Sequence, residues 1–346
     1  MTIEGNHLCT RCVIPDTFPG VTFDADGVCV FCQEAPSREE YLSNQRDLRA
    51  QMETEIARLR GRGEYDAIVA FSGGKDSSFT LQTLVEDYGL NVLAVTIDNG
   101  FIASQALVNA QAVTSALGVD FMLFAPNSEF MKSMYTQSAL HPEVHARSAV
   151  KRASSMCNSC ITLINNHMIK TALHHGSAMI AGGYIGGQVP KDSAILNLDL
   201  LSQEKFKSRT VERYKKYFGS GSSKYFSVHP PLLSEENREI TILNPMLTIS
   251  VTEEEIVGRI SQLGWVKPDS TGKNSSNCLL NDLGIAVHFQ RFKFHPYIYE
   301  ISESIRSGTM TREEGLDKVT DIPSFEEQAV QIEAIGLDVS RLYGKD

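Results

Sequence analysis

The sequence has no apolar run near the ~20 residues that a bilayer-spanning helix needs. It also has no excess of positive charge, no internal repeat and no histidines at tight ligand spacing. No membrane partner is therefore expected. The 32 Lys and Arg residues stand against 42 Asp and Glu, a formal charge of −10. Proteins that hold duplex or folded RNA present a basic face, so tRNA is disfavoured as a partner. The opening Met1-Thr2-Ile3-Glu4-Gly5-Asn6 lacks the charged start and apolar stretch of a signal peptide, and the expected location is the cytoplasm. At 346 residues the chain holds one large core and one or two small modules. The guess for its assembly is a homodimer.

Seven cysteines are present, an odd count that argues against disulfide pairing in a cytoplasmic chain. Cys9-x-x-Cys12 and Cys29-x-x-Cys32 flank a gap rich in turn formers, among them Pro15, Pro19, Gly20 and Asp26-Gly27. Two such knuckles are the shape of a zinc ribbon, whose four thiolates close a tetrahedral site and leave no open position for catalysis. Residues 1–36 are expected to form this ribbon, folded by its metal. Residues 37–63 follow as a linker helix, with Leu48, Met52, Ile56 and Leu59 at helical spacing.

The pattern then alternates. Apolar runs at 65–71, 91–97, 119–124 and 178–181 read as strands, and 79–88, 104–117 and 160–175 read as helices. That order predicts an α/β fold with a doubly wound parallel sheet, over residues 64–250. Ligands in such sheets bind beyond the carboxyl ends of the strands. Between 190 and 234 the pattern breaks up. From 205 to 216, Lys205, Lys207, Arg209, Arg213, Lys215 and Lys216 stand against the single glutamate Glu212. Two interpretations stand: a solvated helix and loop, or a lid that reaches a phosphate. Residues 252–263 read as a helix, and 251–346 as a mainly helical C-terminal region.

The segment Phe71-Ser72-Gly73-Gly74-Lys75-Asp76-Ser77-Ser78 leaves a strand and opens a helix. Its glycines let backbone approach phosphate oxygens, and the helix N-terminus points N–H groups and a dipole at the anion. Ser72, Ser77 and Ser78 add hydroxyls, and Lys75 adds a compact charge. The spacing is neither a Walker loop nor a dinucleotide fingerprint. Ser-Gly-Gly-x-Asp-Ser after an apolar strand resembles the PP-loop ATP pyrophosphatases. That resemblance implies a HUP-like fold, ATP cleaved to AMP and pyrophosphate, and Mg²⁺ bridging the phosphates, with Asp76 near the metal. It also implies adenosine contacts from Asp98-Asn99-Gly100 and, at the end of the fourth strand, Gly182.

A second cysteine set comprises Cys157-Asn158-Ser159-Cys160 and the distant Cys278. The pair is expected just before a helix whose N-terminus lowers a thiol pKa. Two cysteines plus one resemble the tRNA sulfurtransferases of the PP-loop class. There, three thiolates hold a 4Fe-4S cluster and leave one iron open. Persulfide chemistry without metal, half of a structural zinc site, and an apolar filler at Cys278 remain as alternatives. The intervening chain leaves open whether Cys278 reaches the pair. His141, His145, His174, His175, His288 and His295 are expected at the surface or satisfied in the core. Lys151 and Arg152 either neutralise phosphate or are solvated. Tyr184-Ile185-Gly186-Gly187 should rim the pocket, with Asn281, Asp282 and His288 on the substrate side.

The N-terminal Cys9-Thr10-Arg11-Cys12-Val13-Ile14-Pro15-Asp16-Thr17, with Asp24, Gly27, Val28 and Cys29-x-x-Cys32, is similar to the N-acetyl sugar amidotransferase family. This resemblance covers about two thirds of the chain. It implies an acetamido group on a nucleotide-linked sugar and ammonia from a partner glutaminase. The segment 271–288 with Cys278 departs from that pattern and favours sulfur. Both chemistries begin with attack of a carbonyl oxygen on the α-phosphate of ATP. They divide at the second nucleophile, which is sulfide from a sulfur donor or ammonia. The favoured expectation is sulfur transfer to a base or small molecule, with Lys75, Asp76, Cys157, Cys160 and Cys278 as the reacting set.

Overall fold

The computed structural model describes residues 2–3, 6–190, 193–233 and 239–343, without the side chains of residues 2, 3, 6 and 203–208. Two short strands open the chain, β1 (Thr2–Ile3) and β2 (Asn6–His7), paired antiparallel. The cysteine segment follows. Its tight turn at Gly27, φ +72°, forms where Asp24 Oδ1 accepts from the N–H groups of Asp26 and Val28. The helix Arg38–Leu59 starts on a capping box between Ser37 and Glu40. Met52, Ile56 and Leu59 are buried, as their spacing predicts.

The main sheet has six strands: β3 (Ala67–Ala70), β4 (Val92–Ile97), β5 (Asp120–Phe124), β6 (Met179–Ala181), β7 (Ile195–Asp199) and β8 (Glu239–Leu243). Their order is β5-β4-β3-β6-β8-β7, parallel except for β7 against β8. The central strands are unbroken apolar runs because helices cover both faces. Ile68, Leu93, Val95 and Ile180 enter one core with the helices Ser128–Leu140 and Ser155–His174. Their neighbours Ala67, Val69, Val92, Ala94 and Ala181 enter the other, with Met52, Ile56 and Phe79. This alternation is the period-two strand pattern. From β3 the chain steps outward to β5, then returns to place β6 on the other side of β3. That reversal opens a crevice at the carboxyl ends of β3 and β6.

The doubly wound parallel sheet is as the sequence predicts. Two strands and a helix were not legible in it. β7 is an antiparallel edge strand that leaves Leu196 43% exposed, so it lacks the apolar run of a central strand. The helix Ser128–Leu140 carries mixed polarity. The basic run falls on the helix Leu200–Phe218, N-capped by Asp199. Tyr214 and Phe218 anchor it against Phe226, and Lys215 pairs with Glu212. Lys205 and Lys207 lie outside the described side chains.

After β8 come the helices Glu253–Ser261, Asn281–Phe292, Ile298–Ser307, Arg312–Thr320 and Ala329–Ile335. The cysteine segment docks on these helices. Ile14 and Phe18 share a core with Phe294, Ile298, Ile301 and Val319. Phe18 stacks on Tyr299 with centroids 5.6 Å apart, and Arg312 donates to the carbonyls of Cys12 and Cys9 at 3.0 Å. No helix among the described residues is long and apolar enough to cross a membrane.

Truncating Phe18, 3% exposed, should therefore loosen both ends of the chain together. Phe18→Ala is predicted to cost about 3–5 kcal/mol in chemical denaturation. A loss below about 0.5 kcal/mol would show that the docking contributes no stability.

Candidate active site

A cavity of about 440 Å³ lies at the carboxyl ends of β3, β4 and β6. Ser72, Gly74, Lys75, Asp76 and Ser77 line it, as do Gly182 and Tyr184, Ile185 and Gly186 after β6. Gly73 has φ +69°, and a Cβ there would fall 1.9 Å from the Ala106 carbonyl oxygen. Only glycine permits that turn and that approach. Gly74 then opens the helix Lys75–Gln82 with no side-chain cap of its own, so the first-turn N–H groups beyond Lys75, whose own N–H is taken by Ser276, remain for an anion. The Trp265 indole donates to the Gly73 carbonyl at 3.0 Å, and the Lys75 N–H donates to Ser276 Oγ at 3.0 Å. Ser72 and Ser77 share a hydroxyl hydrogen bond of 3.1 Å. Gly73, Ser78 and Asp98, also expected at the nucleotide, stand off the cavity wall. Gly73 instead shapes the loop. Ser78 faces the core, fully buried. The Asp98 carboxylate accepts from the Gly100 N–H at 2.9 Å and closes its own turn.

Cys157, Cys160 and Cys278 line this same cavity. An antiparallel bridge between Ile102 and Cys278 spans the gap in sequence. It is flanked by Ala103 N–H to Asn277 O and Leu279 N–H to Phe101 O, each 2.9 Å. Cys157 and Cys160 lie in the first two turns of the helix Ser155–His174, not before it, and Ser154 caps that helix. Asn99 Nδ2 lies 3.8 Å from Cys160 Sγ and 3.9 Å from Cys278 Sγ. Its Oδ1 accepts from the Phe101 N–H, which fixes the amide. The Asn99 side chain thus serves the sulfurs rather than an adenosine. The lowered thiol pKa expected from the helix N-terminus is not found. Burial raises Cys157 against a hydrogen bond from Ser154 and Cys160 against one from Tyr135, and it pushes Cys278 up to about 12. A thiolate there requires a positive partner.

The charged groups of the cavity come from both halves of the chain. Lys75 Nζ lies 2.8 Å from Asp76 Oδ1. Glu253, Glu300 and Lys318 join them from the C-terminal helices. Glu300 is pushed up to about 8, first by burial and then by Asp76, against a hydrogen bond from Gln188. Glu253, Glu300 and Lys318 carried no signal beyond their residue type, because only the fold brings them together.

In the N-terminal segment, Cys9, Cys12, Cys29 and Cys32 are buried and present their sulfurs within 4.8 Å of one another. Cys9 to Cys32 is 3.9 Å and Cys12 to Cys29 is 3.7 Å. Metal–sulfur bonds of 2.3 Å in a tetrahedron give edges of about 3.8 Å, so the four thiolates fit a single ion. The N–H groups of Cys12 and Cys29 point at Cys9 Sγ, and the Arg306 guanidinium lies 3.9 Å from Cys12 Sγ. All of these offset thiolate charge. The three cavity cysteines belong to no such compact group among the described residues.

Several expectations are corrected. Lys151 and Arg152 neither meet phosphate nor float in solvent. Lys151 donates to the Pro19 carbonyl, and Arg152 donates to those of Gly187 and Val189 and stacks on Tyr299. Asn281 lines the cavity, but Asp282 and His288 do not. His288 sits between Phe292 and Phe294, with neither ring nitrogen partnered among the described residues, and burial takes it down to about 3. His141, His145, His175 and His295 have polar partners, as expected. No described side chain of the helix Leu200–Phe218 lines the cavity, and Lys205 and Lys207 of its basic run lie outside the described side chains.

Residues 66–194 match the family model described as Arginosuccinate synthase N-terminal HUP domain, a HUP domain of the PP-loop superfamily. An uncharacterized protein of Methanocaldococcus jannaschii is 25% identical over 307 residues, covering 88% of this chain and 90% of its own. Two solved structures are also similar. The NH3-dependent NAD synthetase from Campylobacter jejuni with nitrate aligns at 13% identity and a TM-score of 0.28, over 43% of this chain and 58% of that one. This chain thus spans less than two thirds of that synthetase's length. The U34-tRNA thiolase NcsA from Methanococcus maripaludis with its 4Fe-4S cluster aligns at 14% identity and a TM-score of 0.34, over 89% and 87%.

Two outcomes are expected. Gly73→Ala should cost upwards of about 2 kcal/mol in chemical denaturation, from the clash and the positive φ together. Wild-type stability would refute the need for glycine. Glu300 is raised above its ordinary 4.5, so its contribution to stability is complete below that pH and lost as pH rises through about 8. Glu300→Gln should flatten that decline between about pH 3.5 and 9 (about one unit outside the two pKa values). Parallel stability curves would contradict the shift.

Proposed function

We propose that this protein activates a carbonyl oxygen of a base or small molecule by adenylation with ATP and then replaces that oxygen by sulfur. The observation that carries this proposal is that the phosphate loop and Cys157, Cys160 and Cys278 line one cavity. The substrate oxygen attacks the α-phosphate of ATP. The bond to the bridging oxygen breaks, and pyrophosphate leaves with the electron pair. A sulfide-level donor then adds to the activated carbon, and AMP departs with the oxygen. Carbon exchanges oxygen for sulfur at the same oxidation level, so no oxidant or reductant is needed.

The chain's own share is placement and charge compensation. The open N-terminus of the helix Lys75–Gln82 and Lys75 face the leaving phosphates, and Asp76 is placed to join the Mg²⁺ environment. The hydroxyls of Ser72 and Ser77 line the same wall. The three cavity thiols are the residues that would hold a 4Fe-4S cluster. Such a cluster supplies an iron open to sulfide. Asn99 holds two of the sulfurs in place. We assign the Cys9, Cys12, Cys29 and Cys32 site to structural Zn²⁺, because all four thiolates close on one ion. A small-molecule acceptor is favoured over tRNA by the net charge of −10.

Metal and sulfide analysis on protein purified without oxygen tests the assignment. About four irons and four sulfides beyond one zinc per chain are expected, and Cys157→Ala, Cys160→Ala and Cys278→Ala should each lose iron and thiolation together. Zinc alone after anaerobic reconstitution, with ammonia-dependent turnover that survives Cys278→Ala, would replace sulfur by nitrogen. The enzyme would then be a sugar amidotransferase supplied by a partner glutaminase.

A further inference from the structure

Two lysines far apart in sequence meet on one carboxylate oxygen in the cavity. Lys75 Nζ lies 3.8 Å from Glu253 Oε2, and Lys318 Nζ lies 3.3 Å from the same atom. All three residues line the cavity, and both lysine side chains retain 21% exposure. Lys318 is placed through its backbone: its carbonyl accepts from Asn274 Nδ2 at 3.0 Å. Asn274 belongs to the same segment that sets Ser276 against the Lys75 N–H and Cys278 against Ile102. The lysine is therefore positioned by the structure that assembles the rest of the site.

Glu253 has the character of a placeholder. It is the first residue of the helix Glu253–Ser261, which Thr252 caps. Burial opposes its ionisation, but Lys75 and Lys318 outweigh burial and hold its carboxyl below the ordinary range. If both lysines leave, the N-terminus of its own helix still favours the anion. A phosphate group can thus compete for the lysines without stranding Glu253 as an uncompensated charge.

We infer that Lys318 is a second phosphate-binding lysine, held on Glu253 until nucleotide arrives and then engaged with Lys75 on the two phosphates that leave as pyrophosphate. This inference rests on the ATP assignment of the cavity. As the bond from the α-phosphorus to the bridging oxygen breaks, that oxygen keeps the electron pair and negative charge gathers on the pyrophosphate. Two ammonium groups, one from each half of the chain, stabilise that charge where one would leave it half met.

Calorimetric titration of the full chain with magnesium pyrophosphate, and separately with magnesium ATP, tests the assignment. Lys318→Ala should weaken pyrophosphate binding roughly 10- to 100-fold, the range of a charge-assisted phosphate contact. Lys318→Arg should keep most of the affinity. Glu253→Gln removes the competing carboxylate and should tighten binding. If Lys318 only braces Glu253, Lys318→Ala and Glu253→Gln break the same contact and shift affinity and Tm in the same direction. That result, or wild-type pyrophosphate affinity in Lys318→Ala, overturns the inference. Absence of ATP and pyrophosphate binding in the wild-type chain would overturn the ATP assignment itself.

Discussion

The site depends on one backbone bridge. Ile102, just past β4, pairs with Cys278, which lies beyond the sheet in sequence. Through it the loop 271–280 is laid over the phosphate loop, where Ser276 meets the Lys75 N–H and Trp265 meets the Gly73 carbonyl. Closing so long a loop costs entropy, but that cost grows only slowly with length. It is offset by the core that the C-terminal helices form with the helices Ser128–Leu140 and Ser155–His174. Without the bridge, the third cysteine would stand away from the other two and the phosphate loop would lose its cover.

Charge in the cavity is balanced within its walls. Asp76 and Glu253 compensate Lys75 and Lys318, and burial keeps Glu300 and the three thiols toward their neutral forms. An anionic ligand therefore does not meet a ready excess of positive charge. On the inference drawn above, it replaces an internal carboxylate, and binding becomes an exchange of partners. The four-cysteine site follows the opposite rule. There, convergent thiolates are offset by backbone N–H groups and Arg306, which suits a bound cation rather than neutral thiols.

Local features of the chain were legible in its sequence, and assembled ones were not. The phosphate loop, the parallel strands and the two cysteine knuckles each rest on a short pattern with a local cause: glycine at positive φ, an apolar run between turns, a Cys-x-x-Cys turn. β7 was hidden because an edge strand need not be apolar. The thiol pKa values are raised because burial, a property of the whole fold, is their largest influence. Lys151 and Arg152 look like phosphate ligands by type. Their donors are consumed by carbonyls of the cysteine segment and the loop after β6, partners that no local pattern announces.

The docking of the cysteine segment on the C-terminal helices carries a consequence for synthesis. Ile14 and Phe18 emerge from the ribosome early, while Phe294, Ile298, Ile301 and Val319, which cover them, are made near the end. Until then the cysteine segment shows an uncovered apolar face. The nascent chain has to keep that face from other molecules until its own last helices arrive.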